Sequence, residues 1–246
     1  MNALRKSLNL DKYPITGVVS HPPYKWLPAP EKSYRKVRRY NFIDTVVIHA
    51  TAGGSSAGAM SVAYAGKASW HALIPDENEI EHGKYIFRCV QDDSAAWHVL
   101  SSVKHPVDGK ININDRSLGI EIVNAQIGPK DPFSEWQIKA TAQLVAHWRS
   151  VHKIKYLYTH AFLDPGRKLD PGDIFDWEKF VKYIEKYLST QEQEEHKWKL
   201  IYAPDNKEID ANLEVKDTAR ADIRPVLEAA GLKVVFDGKN KTIYYG

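Results

Sequence analysis

The chain has 246 residues, of which 43% are hydrophobic and 26% are charged. These proportions are those of an ordinary globular protein, and they exclude a disordered chain and a fibrous repeat. The net charge of +3 is too small to indicate nucleic-acid binding, and no stretch approaches the roughly 18 apolar residues of a membrane span. Cys89 is the only cysteine, which excludes an intrachain disulfide and a cysteine-rich zinc finger. Any metal must therefore be held by histidine and carboxylate side chains.

The length and the order of local patterns predict two domains. Residues 1–40 are rich in proline, tyrosine and basic residues without sustained periodicity, which indicates an extended arm lying on the main domain. Residues 41–188 mix short apolar runs with helical patterns, as expected of an α/β or α+β layer architecture. The polar stretch 189–197 is predicted to be a linker or the frayed end of the preceding helix.

Residues 198–246 carry the pattern of a small α+β module. An apolar run, KLIYA, precedes a helix-like run, TARADIRPVLEAAG. Two short strand-like runs follow, LKVVF and KTIYY, with the turn sequence DGKN between them. The module is therefore predicted to contain a helix and a hairpin.

Two histidines of the main domain stand where predicted strands end. The β-branched run VVI leads directly to His49, which is followed by the turn-rich TAGGSS. In the same way YLYT leads to His160, which precedes the turn-rich DPGRKLDPG. Both imidazoles are therefore expected at an edge of the sheet where strands meet loops.

The segment SLGIEIV reads as a strand with two unlike faces. Leu118, Ile120 and Ile122 alternate with Ser117, Gly119 and Glu121 along it. Because neighbouring side chains of a strand point to opposite faces, Glu121 is expected to lie opposite the three aliphatic residues.

Two amphipathic helices are predicted to cover the sheet. Ser134 and Gln137 form a capping box, and the helix that follows carries Ile138, Ala142 and Val145 at helical spacing. The second helix is marked by Trp177, Phe180, Ile184 and Leu188.

His49, His160 and Asp170 suggest a metal site. Asp170 lies in a loop bounded by proline and glycine, ten positions beyond His160. Two imidazoles and one carboxylate are the three protein ligands of a catalytic zinc site, with a fourth position left for water or substrate. Taken singly, each histidine has the alternative of an ordinary hydrogen-bonded residue, and the chain has neither an H-E-x-x-H motif nor a cysteine pair.

Five further residues are candidates for the same site, each with a plain alternative. His71 and His98 both follow a tryptophan and could be ligands, substrate contacts or polar residues beside a buried indole. Glu121 is either a solvent-facing residue of the sheet or a carboxylate in a cleft. Lys168 is either a loop cation or the stabiliser of an oxyanion, and Thr51 could hydrogen-bond a ligand or substrate.

Five segments of the chain, taken together, resemble a known family. VVIHAT, SWHALI, AAWHV, NDRSLGIEI and TH followed by DPGRKLDPG resemble, in the same order, the zinc-dependent N-acetylmuramoyl-L-alanine amidases of the type-2 amidase superfamily, which includes the peptidoglycan recognition proteins. SWH and NDRSLGIEI look most like phage and prophage endolysins. The resemblance spans about residues 41–188 and implies a central mixed β-sheet flanked by helices.

The resemblance also implies roles for individual residues. His49, His160 and Asp170 would bind Zn²⁺, Glu121 would be the catalytic carboxylate, and Lys168 would be the cation beside the metal. His71, His98 and Thr51 are expected to line the substrate site. The implied reaction is hydrolysis of the amide bond between N-acetylmuramic acid and L-alanine in bacterial peptidoglycan, with cell-wall lysis as its outcome.

Two other functions remain as alternatives. One is a peptidoglycan-binding module of the same fold without catalysis, and the other is a metal-independent structural protein whose histidines satisfy a core. The module at 198–246 could bind cell wall, mediate self-association into a homo-oligomer, or simply complete the fold. No nucleic-acid partner and no membrane insertion are expected.

The N-terminal sequence MNALRKSLNLDKYPITG lacks the apolar core of a secretory signal. Synthesis in the cytoplasm is therefore expected, with action on the wall after release.

Overall fold

The chain divides into two units, Met1–Thr190 and Gln191–Gly246. A computed structural model describes residues 6–15, 17–125 and 130–189 of the first unit, and only the backbone of four strands in the second. Within these described parts, no helix has both the length and the apolar character needed to cross a membrane.

A seven-stranded mixed sheet forms the centre of the first unit, in the order β1-β9-β4-β8-β5-β6-β2. The strands of this unit are β1 (Ser7–Asn9), β2 (Tyr24–Trp26), β3 (Tyr34–Arg35), β4 (Thr45–Ala50), β5 (Ala72–Ile74), β6 (Ile86–Arg88), β7 (Ala95–Ala96), β8 (Ser117–Ile122) and β9 (Tyr156–Thr159). The inner strands β9, β4, β8 and β5 run parallel to one another, whereas β1 and β6 pair antiparallel with their inner neighbours. Strands β3 and β7 form a separate pair. The mixed sheet implied by the family resemblance is confirmed.

Alternation along β4 and β8 gives the sheet one apolar face. Val46 and Ile48 of β4 and Leu118, Ile120 and Ile122 of β8 are all fully buried in the same core cluster. Burying one such side chain contributes roughly 1.5–3 kcal/mol, so this layer supplies much of the stability of the unit.

Helices lie on the sheet: α1 (Ser56–Tyr64), α2 (Glu135–Val151), α3 (His160–Leu163) and α4 (Trp177–Ser189). Helices α2 and α4 contribute further side chains to this apolar cluster, including Trp148 and Phe180. The predicted capping box is confirmed: the Ser134 hydroxyl accepts from the Gln137 amide at 3.1 Å, and the Gln137 side chain accepts from the Ser134 amide at 3.0 Å.

The opposite face of β4 and β8 is covered by a long connection between β7 and β8. Arg116 pairs there with Asp44 and Asp108, and Arg35 donates to both oxygens of Asp115 at 2.6 and 2.7 Å. The pair with Asp44 joins the connection to the start of β4, and the Arg35–Asp115 pair joins it to β3, while Asp108 lies within the connection itself. The connection therefore forms a fixed wall over this face.

The segment predicted to be an extended arm contributes two strands to the sheet. β1 pairs antiparallel with β9 at one edge, and β2 pairs parallel with β6 at the other. An edge strand is held by backbone hydrogen bonds and needs no apolar alternation, so a segment rich in proline and basic residues gave no signal for it.

In the second unit, four strands are described: β10 (Lys199–Tyr202), β11 (Lys207–Ile209), β12 (Val234–Asp237) and β13 (Thr242–Tyr245). They form one sheet in the order β11-β10-β13-β12. β12 and β13 pair antiparallel, as the predicted hairpin requires. The helix-like run at 218–231 and most of the predicted linker, 190–197, lie outside the described residues.

Candidate metal centre

Three side chains that the sequence separates widely meet at one end of the sheet. β4 and β9 are parallel neighbours, with Ile48 opposite Thr159, so His49 near the end of β4 lies beside His160 at the start of α3. Asp170 lies beside these two histidines because its backbone carbonyl accepts a hydrogen bond from the Ala161 amide at 3.0 Å. All three side chains are buried.

The ligand atoms of these residues form a small triangle. Nδ1 of His49 lies 2.8 Å from Nδ1 of His160, and Oδ2 of Asp170 lies 3.3 Å and 3.1 Å from those two nitrogens. Ligands about 2.0–2.1 Å from a tetrahedral zinc ion are themselves about 3.3 Å apart. Within the described residues, this is the group of histidine and carboxylate side chains that could hold a metal ion. The donor set and its spacing fit Zn²⁺.

The charge states of the ligands suit a cation as well. Burial, followed by the neighbouring His160, lowers the pKa of His49 to about 4, so its imidazole is neutral near pH 7. Burial alone would raise the pKa of Asp170, but hydrogen bonds from His160 and His49 bring it well below its usual range. Neutral imidazole and ionised carboxylate are the forms that bind metal.

Glu121 lies next to this triangle on the same face of the sheet. In the register of β4 and β8 it stands directly opposite His49. It is buried, and no residue in the described part of the chain hydrogen-bonds its carboxylate. Burial and the Asp170 carboxylate raise the pKa of Glu121 well above its usual range, while Lys168 opposes the rise. A carboxyl group in this state is suited to taking and returning a proton.

A cleft of about 420 Å³ opens beside the triangle, with His98 and His160 among its lining residues. Lys168 also lines the cleft. Its positive charge contributes to the lowered pKa of His49 and opposes the rise in the pKa of Glu121. The rest of the lining includes Lys67 and the partly exposed Trp97. It also includes Arg35, which pairs with Asp115 of the same lining, and Arg167, which pairs with Asp164, so basic residues still outnumber acidic ones in the lining. The cleft therefore favours an anionic ligand.

His98 contacts His49 without belonging to the triangle. Its Nδ1 lies 3.0 Å from Nε2 of His49, and its Nε2 lies 3.1 Å from the hydroxyl of Ser117. The ring rests on Gly119, where an added Cβ would come within 2.7 Å of it. His98 thus lines the cleft next to the triangle, and it is not placed as a ligand.

The structure places His71 outside the cleft, in contrast to the expectation that it lines the substrate site. Its ring is fully buried. The Gly119 amide donates to Nδ1 at 2.9 Å, so Nε2 carries the proton and donates to the Ser94 carbonyl at 3.0 Å. Burial, followed by the charge of Arg38, lowers the pKa of His71 to about 3. The residue supports the sheet from within, because neither nitrogen is free to meet a ligand.

The Thr51 hydroxyl is engaged with backbone next to the site. It donates to the Gly53 carbonyl at 2.6 Å and accepts from the amides of Gly53 and Asn124 at 3.1 and 3.2 Å. These bonds shape the loop after β4. A contact between Thr51 and a ligand stays a prediction.

Two contributors to the site were not identified from the sequence. Ser117 and Gly119 appear in SLGIEIV only as the residues that alternate with aliphatic ones. A glycine inside a strand often marks a place where another group approaches the backbone closely. At Gly119 that group is the ring of His98.

Comparison with known proteins identifies the family. A family model described as N-acetylmuramoyl-L-alanine amidase matches residues 39–173, more than half of the chain. The chain belongs to the N-acetylmuramoyl-L-alanine amidase family. The matched range, 39–173, includes the three residues of the triangle as well as Glu121, His98 and Lys168.

Individual relatives agree with this assignment. N-acetylmuramoyl-L-alanine amidase AmiD from Escherichia coli K12 is 30% identical over 152 residues, covering 58% of this chain and 54% of AmiD. The 1,6-anhydro-N-acetylmuramyl-L-alanine amidase AmpD from Haemophilus influenzae is 29% identical over 124 residues, covering 49% of this chain and 61% of AmpD. The chain thus spans between about half and three fifths of the length of these relatives.

A solved amidase structure has the same fold. AmpDh3 from Pseudomonas aeruginosa superposes with a TM-score of 0.51 at 25% identity, covering 84% of this chain and 75% of AmpDh3. The mixed sheet with helices on its faces is therefore the fold of this amidase family.

Proposed function

We propose that this protein is a zinc-dependent amidase that hydrolyses the bond between N-acetylmuramic acid and L-alanine in bacterial peptidoglycan. The observation that carries the proposal is the triangle of His49, His160 and Asp170 with the Glu121 carboxyl beside it. Membership of the N-acetylmuramoyl-L-alanine amidase family supports the choice of this amide bond as the one that is cleaved. His49, His160 and Asp170 would hold the metal.

An amide is a poor electrophile, and the site has to activate both the carbonyl and the attacking water. When bound, Zn²⁺ supplies Lewis acidity that polarises a carbonyl oxygen and lowers the pKa of a water to about 7. Glu121 accepts the proton of the attacking water as its oxygen adds to the carbonyl carbon. Glu121 then returns that proton to the nitrogen of L-alanine as the carbon–nitrogen bond breaks, so that a free amine leaves. Such proton transfer is typically worth roughly 10²–10⁴ in rate.

Lys168 has a separate role in this scheme. Its ammonium group acts electrostatically on both His49 and Glu121. A fixed positive charge at this place stabilises the negative charge that develops on the carbonyl oxygen of the substrate. Lys168 also favours the ionised form of Glu121, which is the form that accepts a proton.

The positive charge of the cleft supports a substrate that carries carboxylates. Lys67 and Lys168 line the cleft together with Trp97. Stem peptides are anionic, and a sugar ring packs well on an indole. AmiD has been solved in complex with the substrate anhydro-N-acetylmuramic acid-L-Ala-D-γ-Glu-L-Lys. We propose a ligand of the same class for this cleft.

We further propose that the enzyme acts on the intact wall and is lytic, like an endolysin. The sequence argument for this is the likeness of SWH and NDRSLGIEI to such enzymes. The second unit is proposed to bind wall or to join two copies of the chain.

Digestion of purified sacculi tests the reaction. The full chain loaded with zinc should release free stem peptides with a new L-alanine N-terminus, detected by mass spectrometry. A parallel digestion of soluble 1,6-anhydro-muropeptides tests the choice of substrate. Cleavage of the soluble substrate alone would contradict the lytic role while keeping the amidase chemistry.

The alternative function is a peptidoglycan-binding module without catalysis. The presence of Glu121 and Lys168 beside a complete ligand set favours the enzyme. Stoichiometric zinc with no release of peptides from either substrate would favour the binding module. Absence of zinc from protein refolded or purified with the metal would contradict the metal site itself.

A further inference from the structure

A chain of hydrogen bonds leads from the metal triangle into the sheet. Nε2 of His49 faces Nδ1 of His98 at 3.0 Å, and Nε2 of His98 faces the Ser117 hydroxyl at 3.1 Å. His98 and Ser117 are both buried. Water therefore does not compete easily for these bonds, and their direction depends on which nitrogen of each ring carries the proton.

The triangle decides that direction. Nδ1 of His49 is the ligand atom, so in the neutral ring the proton lies on Nε2. Nε2 of His49 then donates to Nδ1 of His98, and this leaves the proton of His98 on its own Nε2. That nitrogen donates to the hydroxyl oxygen of Ser117. One tautomer of each ring therefore satisfies every hydrogen bond from His49 through His98 to Ser117.

The two ligand imidazoles differ in this respect. His49 has a partner for its second nitrogen, whereas Nε2 of His160 is buried and has no hydrogen-bond partner in the described part of the chain. Hydrogen bonds to the second nitrogen orient a ligand ring and raise its basicity. Within the described residues, this kind of support for an imidazole ligand comes from His98 alone.

His98 is itself held firmly. The side chain of Asn114 accepts from the Val99 amide at 2.9 Å and donates to the Val99 carbonyl at 2.7 Å, which fixes the backbone next to His98. The ring lies against Gly119, where any larger residue would displace it. Backbone and sheet together therefore set the direction of Nδ1.

We propose that His98 is a positioning residue that accepts a hydrogen bond from the ligand His49, with Ser117 accepting the hydrogen bond from the other nitrogen of His98 and Gly119 providing the space for its ring. The proposal rests on the metal site of the proposed function, but not on the amide reaction. His98 acts through His49, and its effect is on the affinity for zinc.

Zinc affinity of the full chain tests the proposal, measured by competition with a fluorescent chelator. His98→Phe keeps a ring above Gly119 but removes the acceptor, and affinity should fall about 10–100-fold. His98→Asn places an amide oxygen near the position of Nδ1, and it should restore affinity to within about threefold of the wild type. Ser117→Ala should lower affinity about fivefold, as for one lost hydrogen bond.

A matched control and a direct readout accompany these variants. His82→Phe removes a histidine that bonds to Ser134 at the start of α2, and it should leave zinc affinity unchanged. In zinc-loaded protein labelled with ¹⁵N-histidine, the imidazole N–H resonance of His49 should be protected from solvent exchange. That protection should be lost in His98→Phe and regained in His98→Asn.

The outcomes separate the proposal from the metal site itself. Unchanged affinity in His98→Phe, or equal losses in His98→Phe and His98→Asn, would overturn the positioning role and leave the zinc site intact. A wild-type chain that binds no zinc would overturn both. If His98→Phe fails to fold by circular dichroism, Ser117→Ala decides: unchanged affinity in that variant contradicts the proposal.

Discussion

The two faces of the strands β4 and β8 are built from alternate residues of the same segments, yet they differ in what holds them together. One face consists of aliphatic side chains that pack under α2 and α4. The other face has one aliphatic residue of β4, Val47, which packs in a smaller cluster. Its remaining residues are Thr45, His49, Ser117, Gly119 and Glu121, most of them joined to other residues by directed hydrogen bonds. Successive residues of one strand therefore face the apolar core and the candidate metal site in turn.

This difference between the two faces predicts which property a substitution on each face will change. Apolar packing depends on buried area and volume and tolerates a similar side chain. Hydrogen bonds and metal ligands depend on the position of single atoms, so even an isosteric change removes the function. Substitutions on the apolar face should alter the free energy of unfolding, and those on the polar face should alter metal binding and turnover.

Removal of a ligand should have the largest effect. His160→Ala removes one of the three proposed zinc ligands. Zinc should therefore be lost on dialysis, and the rate of hydrolysis should fall by a factor of more than about 10⁴. Zinc content by mass spectrometry and peptide release are the measurements. His152→Ala, at the end of α2, serves as the control and should keep its zinc. Full zinc and full activity in His160→Ala would contradict the ligand assignment.

Glu121→Gln should separate chemistry from binding. The change keeps the shape but removes the proton acceptor, so the turnover number should fall roughly 10²–10⁴-fold while zinc content stays the same. Because the buried carboxyl group makes no hydrogen bond in the described part of the chain, the variant should be at least as stable as the wild type. An active variant, or one without zinc, would give Glu121 a different role.

Lys168→Ala should act mainly on the turnover number. The charge matters most as the oxyanion develops, so the expected loss is roughly 10²–10³, with the zinc content unchanged. Lys179→Ala removes an exposed lysine of α4 and should have no such effect. Equal losses in both variants would show that net charge, and not position, is responsible.

His71 should make stability depend on pH. Its pKa is about 3 in the folded chain and near 6.5 when unfolded, so the unfolded state binds more protons between these values and stability falls as the pH drops through this window. The loss from pH 7 to pH 4.5 should be about 2–3 kcal/mol. In His71→Asn the same drop in pH should cost less, as measured by urea unfolding at both values. Equal pH dependence in the two proteins would contradict this assignment.

Ile120→Val tests the apolar face one residue away from Glu121, and its effect should be the smallest. Loss of one buried methylene group should lower the free energy of unfolding by about 1 kcal/mol. Zinc affinity and the turnover number should not change. A clear loss of turnover would show that the two faces are coupled through the strand.

Local patterns were sufficient to predict several parts of the molecule. The alternation in SLGIEIV placed Glu121 opposite the aliphatic layer, and the capping box placed the start of α2. The strand-end positions of His49 and His160 suggested a shared site, and the structure brings both together with Asp170. Each of these inferences depends on spacing within a few residues or on the parallel order of adjacent strands.

Other parts depend on contacts between distant segments. His71 and His98 both follow a tryptophan, and no local pattern distinguishes them. The pairing of β5 with β8 buries His71 beside the Gly119 amide, whereas the backbone at Asn114 carries His98 to His49. The edge strands β1 and β2 likewise form only because the inner sheet offers them a partner.

The alternation of the strands, the helix start and the residues able to bind a metal could be read from the sequence, because they follow from periodicity and from side-chain chemistry. Which of these residues meet depends on how the chain folds. The register of β4 against β8 sets Glu121 beside His49, and the absence of a side chain at Gly119 admits the ring of His98. Such placements arise from packing among segments far apart in the chain, where a shift of a single residue would turn each side chain to the other face.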